Sequence, residues 1–165
     1  MIPGVDPATI LWFLPVILPV AIWVSWSDMK FMKIPNKAVT VLAAGYAVLG
    51  LLILPLSVWL WGFALMAGML GIGFVANLAG LIGAGDAKFA AAMAGYFVGS
   101  DLSAVLALFA ACLLGAFCAH RLLGQIPAFR RAATGWESWS RRDFPMGLAL
   151  AGTLLFYPLT GLLTH

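Results

Sequence analysis

Apolar residues run along this chain in long blocks, and nearly all of its charge is gathered in the short strings between them. A helix needs about 20 apolar residues to cross the hydrocarbon core of a bilayer. Six segments fit that description: Ala8–Trp26, Ala38–Leu54, Val58–Ala79, Ala87–Gly99, Leu102–Ala119 and Phe144–Leu163. The fourth is short unless it begins near Asp86, and Gly99-Ser100-Asp101 separates it from the fifth, so a four-span alternative would fuse or lose segments there. The first lacks a basic leader and is interrupted by Pro15 and Pro19, which predicts a retained span rather than a cleaved signal peptide. The fold expected is all-α, a polytopic membrane protein built as a bundle of about six transmembrane helices, with residues 1–165 as one domain.

Composition sharpens that reading. Hydrophobic residues make up 64% of the chain and charged residues 9%, against roughly 25% charged in soluble domains. The mean hydropathy is +1.05. A net charge of +3 raises nucleic acid as a partner, but the basic residues are spread along the chain and their sidedness accounts for them better. With the N-terminus outside, Lys30, Lys33, Lys37, Lys88, Arg121, Arg130, Arg131, Arg141 and Arg142 all fall on the inner face. The outer turns at Pro55-Leu56-Ser57 and Ser100-Asp101 carry none. The inner face is then cytoplasmic by the positive-inside rule. The longest loop, from about His120 to Asp143, is basic and carries Trp136 and Trp139. It reads equally as an amphipathic segment on the lipid surface or as a solvated loop with aromatic anchors. Cys112 and Cys118 match neither C-x-x-C nor a zinc spacing, and are expected to be small buried hydrophobes.

Of only six acidic residues, two stand at the inner ends of apolar segments: Asp28, in Ser27-Asp28-Met29-Lys30-Phe31-Met32-Lys33-Ile34-Pro35-Asn36, and Asp86, in Gly83-Ala84-Gly85-Asp86-Ala87-Lys88. Ionisable groups near membrane depth mark functional sites, and the six-span topology puts both on one side. Either alone could be an interfacial residue or a helix cap. Together they suggest a pair that activates water: one ionised carboxylate takes a proton from water while a protonated partner hydrogen-bonds the scissile carbonyl. Like charges a few ångströms apart resist joint ionisation, so such a pair shares a proton. Gly83 and Gly85 permit positive φ and close backbone approach, so the stretch before Asp86 could turn sharply or open for an extended substrate strand. Lys30 and Lys88 could anchor their helices to headgroups or pair with a carboxylate, and snorkelling favours the anchor. Gly68, Gly71, Gly73 and the Gly95–Gly99 G-x-x-x-G pair favour close helix packing.

The two aspartate strings resemble those of the type IV prepilin peptidases, membrane aspartyl proteases of the G-x-G-D class. Asp28, Lys30, Ile34, Pro35 and Asn36 match that family's D-x-[RK]-x-x-x-[IL]-P-N pattern, and Gly83, Gly85, Asp86 and Lys88 match G-x-G-D-x-K. A third family string, P-[FY]-G-x-A, is met by Pro145-Met146-Gly147-Leu148-Ala149, with Met146 in place of the aromatic. The resemblance implies Asp28 and Asp86 as catalytic residues. It also implies a prepilin or pseudopilin substrate, cut at the cytoplasmic face between a basic leader and an apolar helix, with membrane lipid and pilus assembly machinery as the other partners. Long members carry a zinc-binding cytoplasmic insertion with paired C-x-x-C motifs and N-methylate the product. This chain has no C-x-x-C and no room for that insertion, so it is similar to the short, peptidase-only form serving tight-adherence (Flp) pili, and no metal, cofactor or methyltransferase activity is expected. Asn36, Asn77, Pro145 and Gly147 are candidate substrate contacts, with capping the stronger reading for Asn77.

Three other readings predict different sequences. A proton-coupled transporter needs polar residues along a path through the bilayer, and the spans lack acidic residues at mid-depth. A non-catalytic scaffold of a pilus or secretion machine has no use for two acidic motifs. Presenilin-like enzymes that cut inside the bilayer share G-x-G-D without the Ile-Pro-Asn string.

Overall fold

The computed structural model describes residues 7–141 and 143–160. A single turn, α1 (Pro7–Ile10), passes through a 3-10 turn into α2 (Leu14–Phe31). There follow α3 (Asn36–Ile53), α4 (Leu56–Leu78), α5 (Ala84–Ala94) with a 3-10 extension at Gly95–Phe97, and α6 (Leu102–Gln125). The short α7 (Pro127–Ala132) and a 3-10 turn at Glu137–Trp139 lead to α8 (Met146–Thr160). Four helical segments are long and apolar enough to cross a bilayer: Leu11–Phe31, Asn36–Ile53, Leu56–Leu78 and Leu102–Gln125. With α5 and α8 they form an all-helical, multi-pass membrane bundle. The last residues of the sixth expected span, from 161, lie outside the described residues.

The shortest two helices of the bundle occupy its middle. α8 packs along α2, α6 and α5, and α5 along α4 and α3. The small side chains of α5 let its neighbours come close; Ala87, Ala91 and Ala92 are buried on it, as are Gly147, Ala149 and Ala151 on α8. Lipid does not drive helices together as water does, so close van der Waals packing must hold them. On α2 the buried positions Ile17, Val20, Ala21, Val24, Ser27 and Asp28 recur every three or four residues, the spacing of one helical face. On α3 the stripe is Ala38, Leu42, Tyr46 and Gly50. Away from the aspartates, the Tyr96 hydroxyl donates to the Leu42 carbonyl at 2.7 Å and that of Tyr46 to the Trp59 carbonyl at 3.1 Å. These bonds satisfy buried hydroxyls that would otherwise be costly.

Hydropathy misplaced two helix ends. The first apolar block stops at Trp26, but α2 runs on to Phe31, so Asp28 lies within the helix rather than after it. The buried face continues through Ser27 and Asp28, and the helix ends only where Met32 turns left-handed (φ 51°) and donates its N–H to the Asp28 carbonyl at 2.9 Å. Likewise α6 passes Ala119 and ends at Gln125, just before Pro127. The expected loop from His120 is thus helical in its first turns. Arg121 lies with its guanidinium 5.3 Å from the Phe117 ring, which suits a charge at a helix end.

Two packing expectations also change. Cys118 is exposed and Cys112 half-buried, because α6 packs chiefly on α8 and presents its other faces outward. Of the G-x-x-x-G pair, only Gly95 is buried, against Met66 and Tyr46, while Gly99 takes φ 78° in the turn before α6.

Candidate active site

Asp28 and Asp86 open into one cavity of about 660 Å³ at the end of the bundle where α2 finishes and α3 and α5 begin. Asp28 comes from the last turn of α2 and is only 5% exposed. Its Oδ2 accepts the backbone N–H of Gly147 at 2.7 Å. That donor belongs to the first turn of α8, where N–H groups lack helical partners and the helix dipole favours an anion. Asp86 occupies the third position of α5, after Gly83 at its N-cap. Its Oδ2 lies close against Gly83, 2.6 Å from where a Cβ there would stand.

The strings around them interlock. The Ser27 hydroxyl donates to the Lys33 carbonyl at 2.9 Å, folding the Lys33-Ile34-Pro35 segment back over the end of α2. Pro35 then sets the start of α3 as its N-cap, with Asn36 the first helical residue. Gly85 lies against Ile34, so the two aspartate strings touch. Lys88 Nζ donates to Asn36 Oδ1 at 3.4 Å, tying α5 to α3 across the cavity mouth. Ile34, Pro35, Asn36, Gly83, Gly85 and Lys88 all line the cavity with the aspartates.

The other expected residues take different positions. Lys30 does not line the cavity; its ammonium lies 4.8 Å from the Trp26 ring and 5.1 Å from that of Phe31, which suits an interfacial anchor rather than a carboxylate partner. The Asn77 amide donates to the Ile82 carbonyl at 2.8 Å and so closes the α4–α5 turn, away from the cavity lining. Pro145 is buried behind Gly147 in the lead-in to α8. Gly147 approaches Asp28 rather than the cavity space.

The glycines work by close approach and not by positive φ. Gly83 has φ −69°, Gly85 is helical, and the left-handed turn before the motif falls at Gly80 (φ 73°) instead. A Cβ at Gly147 would stand 2.8 Å from Asp28 Oδ2 and 3.0 Å from its Cβ and Cγ. A Cβ at Gly83 would stand 2.6 Å from Asp86 Oδ2.

Sequence reasoning missed the cavity's apolar wall. Trp23, Trp26 and Phe31 line it, and Trp26 and Phe31 are also exposed on the outside of α2. Their helical spacing next to Asp28 is the signal that could have revealed them. Ser27 stands in the first aspartate string, but only the fold shows its bond to Lys33.

The family model of the type IV leader peptidases matches residues 15–120, well over half the chain and both aspartate strings. The chain belongs to the type IV leader peptidase family. Membership makes it a protease of prepilin-like substrates. The match stops short of Pro145 and Gly147. No curated protein and no solved structure matches the chain.

Proposed function

We propose that this leader peptidase removes the basic leader of Flp-type prepilins at the cytoplasmic face of the inner membrane, with Asp28 and Asp86 activating the attacking water. The observation that carries this reading is the opening of both carboxylates into one cavity. The ionised member of the pair takes a proton from water, and the resulting hydroxide equivalent adds to the scissile carbonyl. The protonated member hydrogen-bonds and protonates the carbonyl oxygen. The tetrahedral diol then collapses: the leaving nitrogen takes up the proton held by the first carboxylate, and the second carboxylate recovers a proton from a diol hydroxyl. The protons belong to the pair, so neither role is assigned to one aspartate. This chemistry calls on no metal or cofactor, and residues 1–165 act as one peptidase unit without methyl transfer.

The apolar wall suits the proposed substrate. An apolar helix lying against Trp26 and Phe31 on the lipid side would place its polar junction at the aspartates. That junction must be extended when cut, because a helix hides its carbonyls, and Asn36 at the mouth is placed to hydrogen-bond the opened strand. The test is coexpression with a candidate Flp prepilin, with leader removal followed by gel mobility. Wild type should cleave; Asp28→Asn and Asp86→Asn, stably inserted, should each be inactive. Normal cleavage by either variant would remove that aspartate from the mechanism. Asn36→Ala should slow cleavage without loss of folded protein, and unchanged turnover would take Asn36 out of the site.

A further inference from the structure

A second cavity, of about 240 Å³, lies where the last turns of α6 meet α7 and the 3-10 turn at Glu137–Trp139. Three polar atoms are buried there without a hydrogen-bond partner among the described residues: His120 Nε2, Ser138 Oγ and Trp139 Nε1. His120 and Ser138 line the cavity and are only 8% and 1% exposed. Buried polar groups in folded proteins are nearly always paired, so three orphans at one cavity point to a missing partner. An indole N–H can only donate and a hydroxyl can donate, so that partner is an acceptor. The charge agrees. Arg121, Arg130 and Arg141 line the cavity with Asp143, and among the described residues only Arg141 is ion-paired, to Glu137 at 3.0 Å. Among the described residues, Arg121 and Arg130 thus line the cavity outside any ion pair, with Asp143 as its one carboxylate.

The walls are aromatic. Trp139 stacks on His120 with centroids 4.8 Å apart and planes 12° apart, and Phe144 meets His120 edge-on at 6.0 Å. The Trp139 ring lies over Gly124, where a Cβ would stand 3.1 Å from it. Depth fixes the class of ligand. At 1.5 Å per residue the 24 residues of α6 extend about 36 Å, beyond the ~30 Å hydrocarbon core. The turns that carry His120, Arg121 and Gly124 thus emerge at headgroup level, where tryptophan is favoured.

We propose that this cavity binds a phosphate group, as carried by an anionic phospholipid headgroup, with Arg121 and Arg130 meeting its charge and Ser138 and Trp139 donating to its oxygens. The site is separate from the aspartate cavity and stands whether or not the proposed cleavage does.

Native mass spectrometry of the purified full chain in detergent tests it, with phosphatidylglycerol, phosphatidylcholine and inorganic phosphate as probes. One phosphatidylglycerol should bind at concentrations about tenfold or more below those for phosphatidylcholine, and Arg121→Gln/Arg130→Gln should abolish that preference. Trp139→Phe keeps a six-membered ring beside His120 and Gly124, removes the N–H together with the five-membered ring, and should weaken the preference severalfold; it carries the test by itself if circular dichroism shows the double variant misfolded. Stoichiometric binding of inorganic phosphate that displaces the lipid supports the phosphate site and makes its source the solution. The proposal is overturned if phosphatidylglycerol is held no better than phosphatidylcholine and phosphate does not bind. It is equally overturned if the preference survives unchanged in folded Arg121→Gln/Arg130→Gln, or in Trp139→Phe.

Discussion

Gly147 donates to Asp28 across 119 positions of sequence, and the fit leaves no room for a side chain. In Gly147→Ala the new methyl would press on the carboxylate and on the Asp28 Cβ at 3.0 Å, so α2 and α8 must part. Overpacking of this kind costs about 1–3 kcal/mol, and a displacement near 1 Å at a catalytic group lowers turnover on the order of 100-fold. Leader cleavage and detergent unfolding of the same variant should show both effects. The two glycines of the second string should separate. Gly83→Ala brings a methyl within 2.6 Å of Asp86 Oδ2, and the free end of that side chain can turn away. The protein should fold while cleavage falls at least about tenfold, as misorientation predicts. Gly85→Ala meets Ile34 at an ordinary 3.5 Å, and should change stability by no more than about 0.5 kcal/mol and keep most of its turnover. Equal loss in both variants would refute this steric account. Both aspartates stood out in the sequence because charge is so rare in it. The Gly147 bond could not, because nothing local to residue 147 says which carboxylate lies beside it.

Helices α6 and α8 show how little hydropathy says about burial in a membrane. The most apolar span, Leu102–Gln125, buries none of its best window, while the shorter Met146–Thr160 is central. Lipid and protein interior are equally apolar, so hydropathy reports membrane residence, and small residues and shape decide which helix goes inside. Leu154→Ala empties a fully buried position and should cost about 2–5 kcal/mol. Leu114→Ala, at a position 66% exposed, should stay within about 0.5 kcal/mol. Unfolding in graded denaturing detergent would measure both, and equal costs would mean that α6 has a buried partner.

At the scale of the molecule, the helices alternate in direction, so Lys30, Lys33, Lys37, Lys88, Arg121, Arg130, Arg131 and Arg141 gather at the end that holds both aspartates. Arg142 lies outside the described residues. The positive-inside rule then expects that end in the cytoplasm. In a background with both cysteines replaced by alanine, Ser57→Cys should react with a membrane-impermeant maleimide in intact cells. Lys37→Cys should react only after permeabilisation. The opposite labelling would turn the aspartate cavity outward and rule out cleavage of a cytoplasmic leader.

Alone, the sequence determined that the chain is a helical membrane bundle, which residues carry its rare charge, and which family strings it contains. These are local properties, written in hydropathy and in contiguous motifs. The tertiary structure decided that α2 carries Asp28 inside its last turn, that Gly147 holds it, that Ser27 folds the Ile34-Pro35 segment back, and that Trp26 and Phe31 wall the cavity. It also turned Trp139 inward onto His120. The Gly147–Asp28 contact spans 119 positions, and even the short Ser27–Lys33 bond needs the chain to fold back on itself; in a chain that is apolar almost throughout, the pattern of hydrophobic positions does not choose among such contacts.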